Sequence, residues 1–312
     1  MGYAVVLGEA LIDLQEAEHD GEVVYRQAIG GAPLNVAVGA TRLGGQVQYV
    51  GSLSDDVLGN RIAGFLTERG VGTDGVKRVP VPTTLAVTTF VGAEPTFTFY
   101  GEPPSYALLG PGDLDTATVA GADVVYTGSI SLLREPFRAA ARAAWATPGP
   151  LRVFDPNARP TLLPDGAAVT HLRELSEEFF ATADLVKLSS ADAEVLYDGA
   201  APEQAAERIR GLGAKAVVVT AGSKGAYINA ADGATMLAAP KVDAVDATGA
   251  GDSVMGALVR RLLADGLPKD LEGWQRNVQF ALNVAALVCE RRGGAVAMPT
   301  AGEVSARWPS QY

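Results

Sequence analysis

The chain has 312 residues, enough for one large α/β domain or two smaller ones, and enough to bury a core and still carry a cleft. Hydrophobic residues make up 48% and aromatics only 7%, which suits helices packed on a sheet through small side chains and excludes a disordered chain. A formal charge of -11 opposes nucleic acid and anionic membrane as partners, and one cysteine with two histidines excludes an internal disulfide and a Cys/His zinc site.

The chain opens Met1-Gly2-Tyr3-Ala4 with no basic flank and meets Glu9 and Asp13 early, so no secretory leader is expected. No apolar run reaches the ~18 residues of a membrane span. With a lone thiol, these features point to the cytoplasm.

Residues 4–7 read as a first buried strand, followed by Gly8-Glu9-Ala10-Leu11-Ile12-Asp13. Residues 22–26 form a short β segment after an acidic turn. Gly30-Gly31-Ala32-Pro33-Leu34-Asn35-Val36-Ala37 then enters a helical pattern over 34–43. A strand at 47–50 and a helix at 62–69 follow. Residues 84–91 and 96–100 flank a Gly-Ala-Glu-Pro turn and read as a hairpin that, with 22–26, makes a small antiparallel patch projecting from the main sheet.

Further buried strands are read at 124–126, 152–154, 185–188 and 216–219, and helices at 136–145, 203–212, 253–263 and 278–288. The alternation implies a mostly parallel sheet covered by helices on both faces. There is no repeat and no long linker, so a single domain is expected over 1–312, with lid elements at about 14–30 and 83–108.

Asp246-Ala247-Thr248-Gly249-Ala250-Gly251-Asp252 places small residues between acids just before the 253–263 helix. Free N–H groups at a helix N-terminus bind phosphate oxygens, and glycines let the anion approach the backbone. Asp252, in the first turn, is placed to take a proton from a hydroxyl beside a terminal phosphate. Alone, it is equally an acid complementing the helix dipole. No Gly-x4-Gly-Lys-Ser/Thr occurs, which argues against a P-loop. Gly70, Gly72 and Gly75 match a dinucleotide fingerprint only formally, because they follow a helix.

Asp246–Asp252, with the early Gly30-Gly31-x3-Asn35 and Asp13, resembles the ribokinase-like carbohydrate kinases nearly end to end. Gly30-Gly31-Ala32-Pro33 with Gly128-Ser129-Ile130-Ser131-Leu132 most resembles the fructokinases. The resemblance implies a three-layer α/β/α fold with a mostly parallel central sheet and a small β lid. It implies Asp252 as catalytic base, and Gly249, Ala250 and Gly251 as an anion hole. Arg159, in Phe154-Asp155-Pro156-Asn157-Ala158-Arg159, would neutralise transferring charge. Asp13, Gly30, Gly31 and Asn35 would hold the sugar. Lys187, Thr220, Gly222, Gly225, Thr248, Gly251 and Asn283 would contact the nucleotide.

The implied cofactors are ATP and Mg2+, with K+ at the 292–298 loop; Asp192 would act on magnesium through water. The implied partners are a small sugar and a second copy of the chain, through the lid. Two departures stand out. Ser189-Ser190-Ala191-Asp192 replaces the family's Asn-x-x-Glu, and Gly101-Glu102-Pro103-Pro104-Ser105-Tyr106 replaces the fructokinases' Arg and Ser-Ala-Asp.

The expected reaction is ATP-dependent phosphorylation of a primary hydroxyl, fructose to fructose 6-phosphate first. 2-Keto-3-deoxygluconate, ribose and nucleosides are the other acceptors. A catalytically silent sugar sensor and a nicotinamide-dependent enzyme are the readings from other classes.

Overall fold

The computed structural model describes residues 2–91, 94–163 and 165–309. The chain begins in the middle of its main sheet with β1 (Ala4–Leu7) and passes at once into a hairpin, β2 (Leu11–His19) and β3 (Glu22–Gly30). It returns through α1 (Ala32–Arg42), β4 (Val47–Ser54), α2 (Val57–Glu68) and β5 (Val76–Val79) to one edge of the sheet. A second hairpin follows, β6 (Leu85–Val91) and β7 (Glu94–Tyr100), then the short α3 (Thr116–Ala120).

The other half runs β8 (Val124–Gly128), α4 (Phe137–Ala146), β9 (Leu151–Asp155), α5 (Gly166–Phe180), β10 (Leu185–Ser189), α6 (Ser190–Leu196), α7 (Pro202–Leu212) and β11 (Val217–Thr220). An edge hairpin, β12 (Ala226–Ala230) and β13 (Gly233–Leu237), precedes α8 (Ala250–Asp265), α9 (Leu271–Cys289) and α10 (Ala301–Arg307).

The strands order as β13-β12-β11-β10-β9-β8-β1-β4-β5, parallel except for β12 and β13. Buried on both faces, they read as unbroken apolar runs, and successive side chains alternate between two cores. Val6, Tyr126 and Val218 enter the core under α1, α8 and α9, whereas Val5, Val125 and Val217 enter the core under α4, α5 and α7. This is the three-layer α/β/α architecture expected from the sequence.

The chain leaves β1 outward through β4, then restarts on β1's other side at β8. That reversal opens a crevice at the carboxyl ends of β1 and β8, where open α/β sheets bind ligands. Above it stands the lid, a four-stranded sheet ordered β3-β2-β6-β7, in which β2 and β6 pair in parallel (Ile12 with Leu85).

The lid differs from expectation in its start: β2 begins at Leu11, so Asp13 lies inside a lid strand and not at the end of a main-sheet strand. Residues 101–108 are not lid strand. They fold back on the sheet, with the Ser52 hydroxyl donating to the Ser105 carbonyl at 2.7 Å. Gly92 and Ala93 of the expected turn lie outside the described residues.

Candidate active site

The cleft under the lid has a volume of about 770 Å3. It brings together Asp13, Gly31, Asn35, Arg159, Lys187, Asp192, Thr248, Gly249, Gly251 and Asp252, which are far apart in sequence.

The floor is the start of α8. Val245 and Asp246 donate their amides to the Cys289 carbonyl at the end of α9. Burial works against the Asp246 carboxylate, but the amides of Gly293 and Thr248, both at 2.9 Å, outweigh it and hold its pKa below the ordinary value. Thus pinned, the chain turns at Gly249, whose φ of 76° is left-handed. A Cβ there would lie 2.9 Å from the Gly294 Cα, so glycine is required for both conformation and space. The Ala250 amide is consumed by the Ala247 carbonyl at 3.1 Å, whereas the amides of Gly249, Gly251 and Asp252 have no acceptor among the described residues. The open set is therefore Gly249, Gly251 and Asp252, one residue different from the expected trio.

Asp252 is buried, and the Asn35 amide Nδ2 donates to its Oδ2 at 2.7 Å. A carboxylate only accepts, so this bond fixes which way the amide points. It leaves Asn35 Oδ1 buried without a partner, an acceptor in the cleft wall beside the carboxylate. Asn35 reaches this position because α1 starts at Gly31, where φ is 114° and a Cβ would lie 2.5 Å from the Glu9 carbonyl.

Asp13 projects from β2 against Gly30, whose absent side chain makes room: a Cβ there would be 2.2 Å from Asp13 Oδ2. Gly30 thus accommodates Asp13 and does not itself line the cleft. Burial pushes the Asp13 carboxyl up to about 6, against the pull of Arg159 and with the Asp252 charge adding to the rise.

Two further buried acids belong to the site: Glu9 lines the cleft, and Asp155 lies outside its lining. Asp155, at the end of β9, accepts from Lys187 Nζ at 2.8 Å in an ion pair with both side chains at least 96% buried. Burial opposes the Lys187 charge, but Asp155, Asp192 and Asp252 outweigh it and hold its pKa above normal. The ammonium lies 3.1 Å from where a Gly251 Cβ would be, beside the start of α8. Glu9, buried with no salt-bridge partner among the described residues, accepts from the Ser131 amide at 3.4 Å, and burial raises its pKa. Both stand in segments noted from the sequence, but their roles were not legible there, because each acts through a partner more than thirty residues away.

Asp192 caps α6. Its Oδ1 accepts from the Ala158 amide at 2.8 Å, and its Oδ2 from the Ser189 amide and hydroxyl, each at 2.7 Å. With three donors on it, it suits contact to a cation through water better than direct ligation. No group of three or more acids, histidines or cysteines among the described residues is arranged for a metal.

Thr220 ends β11, and Gly222 and Gly225 sit in the β11–β12 turn, all outside the cleft lining; Thr220 registers with Ser189, which does line it. Asn283 is 1% exposed within α9 and accepts from Gln279 Nε2 at 3.2 Å, away from the cleft. No helix among the described residues is long and apolar enough to cross a membrane.

Known proteins resemble the chain over nearly its whole length. The family model for pfkB family carbohydrate kinases matches residues 1–301. Fructokinase-2 of Solanum habrochaites is 34% identical over 316 residues, covering 97% of this chain and 94% of that protein. The structure of a fructokinase with bound ATP from Xylella fastidiosa superposes with a TM-score of 0.86 at 28% identity, covering 99% of this chain and 98% of the other. An aminoimidazole riboside kinase from Salmonella enterica gives 0.84 at 25% identity, covering 97% and 98%. The chain belongs to the pfkB family of carbohydrate kinases and is a fructokinase-like sugar kinase of ribokinase-like fold.

Proposed function

We propose that the protein transfers the γ-phosphoryl group of ATP to a primary hydroxyl of a small sugar, with fructose as the first acceptor and fructose 6-phosphate as the product. The observation that carries this reading is Asp252, held by Asn35 at the open N-terminus of α8, with the Lys187 ammonium beside the same amides. Fructose is favoured because relatives aligned over nearly the whole chain are fructokinases.

The acceptor lies under the lid, on Asp13, Gly31 and the free Oδ1 of Asn35. Its reacting hydroxyl points at Asp252, which takes the proton as the oxygen attacks the γ-phosphorus; general-base assistance contributes roughly 10²–10⁴ in rate. The amides of Gly249, Gly251 and Asp252, with Lys187 and Arg159, hold charge on the transferring group in fixed positions. The nucleotide extends past Thr248 toward the β11–β12 turn, along Thr220, Gly222 and Gly225. Asp192 would hold Mg2+ through water, and the ion would neutralise charge on the ATP phosphates. Lid strands β2 and β6 shut out solvent. We further propose that two chains associate through the lid, where Val23, Tyr25 and Tyr100 are exposed.

The test is ADP release from MgATP over fructose, 2-keto-3-deoxygluconate, ribose and nucleosides, in sodium and in potassium buffers. Fructose should give the highest kcat/KM, with a higher rate in potassium if the 292–298 loop takes a monovalent cation. A better rate with another acceptor would move the assignment to that sugar, and silence with all of them would overturn the kinase reading.

A further inference from the structure

Asp155 is 1% exposed and lies outside the lining of the cleft, so its carboxylate touches neither acceptor nor nucleotide. It nevertheless stands behind Lys187, which with Arg159 supplies the cationic side chains that line the cleft among the described residues. A buried carboxylate is costly unless its oxygens find donors, and here each oxygen has one.

The carboxylate projects from a fixed point. Asp155 ends β9, and its carbonyl accepts from the Ser129 amide at 3.1 Å. Gly128 permits that contact, because a Cβ there would lie 1.9 Å from the same carbonyl. Oδ1 accepts from the Asn157 amide at 3.0 Å, which leaves Oδ2 for Lys187 Nζ at 2.8 Å. β9 and β10 pair in parallel with Val186 opposite Phe154, and Lys187 and Asp155 follow them side by side. An ammonium on a four-carbon stem has no preferred direction of its own. Asp155 is its one ion-pair partner among the described residues and holds it beside the start of α8. Asp192 and Asp252 add to the field on that charge, but Asp192 has its oxygens on Ala158 and Ser189, and Asp252 has Oδ2 on Asn35.

We propose that Asp155 is a positioning residue for phosphoryl transfer: it aims the Lys187 ammonium at the transferring group without itself meeting a substrate. The inference rests on the seating of the terminal phosphate at the start of α8 described above. The reaction is unchanged: the primary hydroxyl oxygen bonds to the γ-phosphorus, the bond to the bridging oxygen of ADP breaks, and the proton passes to Asp252. Asp155 neither gains nor loses a proton. Its contribution is to the rate of transfer and not to the grip on the acceptor, which is seated on Asp13, Gly31 and Asn35.

The experiment measures ADP release by the full chain with MgATP and the best acceptor of the panel above. Asp155→Asn keeps the shape and an oxygen for the Asn157 amide, and removes the charge that holds Lys187. Its kcat should fall roughly 10–100-fold, while KM for the acceptor stays within about twofold. Lys187→Met removes the ammonium itself. The double variant, Asp155→Asn with Lys187→Met, should stay within about twofold of Lys187→Met alone, because no charge is left to aim. The double variant also replaces a buried ion pair by a neutral one, so this comparison serves if Asp155→Asn alone misfolds. A kcat for Asp155→Asn within about twofold of wild type would overturn the proposal. So would an acceptor KM that rises as much as kcat falls, or a double variant well below Lys187→Met. Wild-type silence with every acceptor would instead overturn the parent reading, and the wild-type control tells the two failures apart.

Discussion

At the residue level, the site is a set of carboxylates given different tasks by their surroundings. Asp252 is aimed by Asn35, whereas Asp13 sits in a buried wall that pushes its pKa up to about 6. If Asp13 binds sugar hydroxyls as a carboxylate, kcat/KM for the acceptor should fall below about pH 6, approaching tenfold per unit. Asp13→Asn should weaken binding at neutral pH and remove that acidic limb; a limb that persists in the variant would exclude Asp13 as its source. The raised pKa also sets a sign for folding. This carboxyl stabilises the folded chain below pH ~4, and that contribution is lost as pH climbs through about 6. Asp252, Asn35, Gly31 and Asp13 were legible in sequence because short motifs hold them. Asp155 was not, because its significance lies in Lys187, on the neighbouring strand and 32 residues away. Asn283 shows the limit of a motif on a helix: helical position does not say which face is turned inward, and here the residue is buried.

Elements matter through their ends. The Asp56 side chain caps α2 by accepting from the Gly59 amide at 2.7 Å and also accepts from the Thr83 amide and hydroxyl at the root of the lid. Burial is the largest single influence and works against its charge, but the donors together outweigh it and hold its pKa at about 2. Asp56→Ala should therefore cost about 1–2 kcal/mol in urea unfolding at pH 7. The difference from wild type should be present above pH ~4 and shrink as pH falls toward 2. An unchanged midpoint at pH 7 would show that the cap contributes nothing. The parallel strands and the longer helices on both faces were legible from apolar runs and helical spacing. The antiparallel edge formed by β12 and β13 was not: Asn229, Asp232 and Gly233 break its apolar pattern, and its outer strand is only half-buried. β2 was hidden by Gln15, Glu16, Glu18 and His19, polar residues that a strand tolerates when it stands above the sheet in a lid.

At the scale of the whole molecule, the sheet reversal at β1 and β8 supplies a rigid floor, and β2 carries the chain straight from that floor into the lid. One continuous segment, Gly8 to Asn35, thus supplies Asp13, Gly31 and Asn35 to the cleft. The largest sequence departure from the fructokinase pattern, Gly101 to Tyr106, follows β7 at the root of the lid. Val23, Tyr25 and Tyr100 leave apolar surface on the lid. Light scattering at micromolar concentration should give twice the monomer mass, and Val23→Glu with Tyr25→Glu should return it to one; a wild-type monomer would exclude the lid contact. The central claim is tested most directly by Asp252→Asn, which preserves the shape beside Asn35 and removes the base. With fructose and MgATP, kcat should fall by about 10²–10⁴ while calorimetric binding of both substrates stays within a few-fold. Turnover at the wild-type rate would contradict the account.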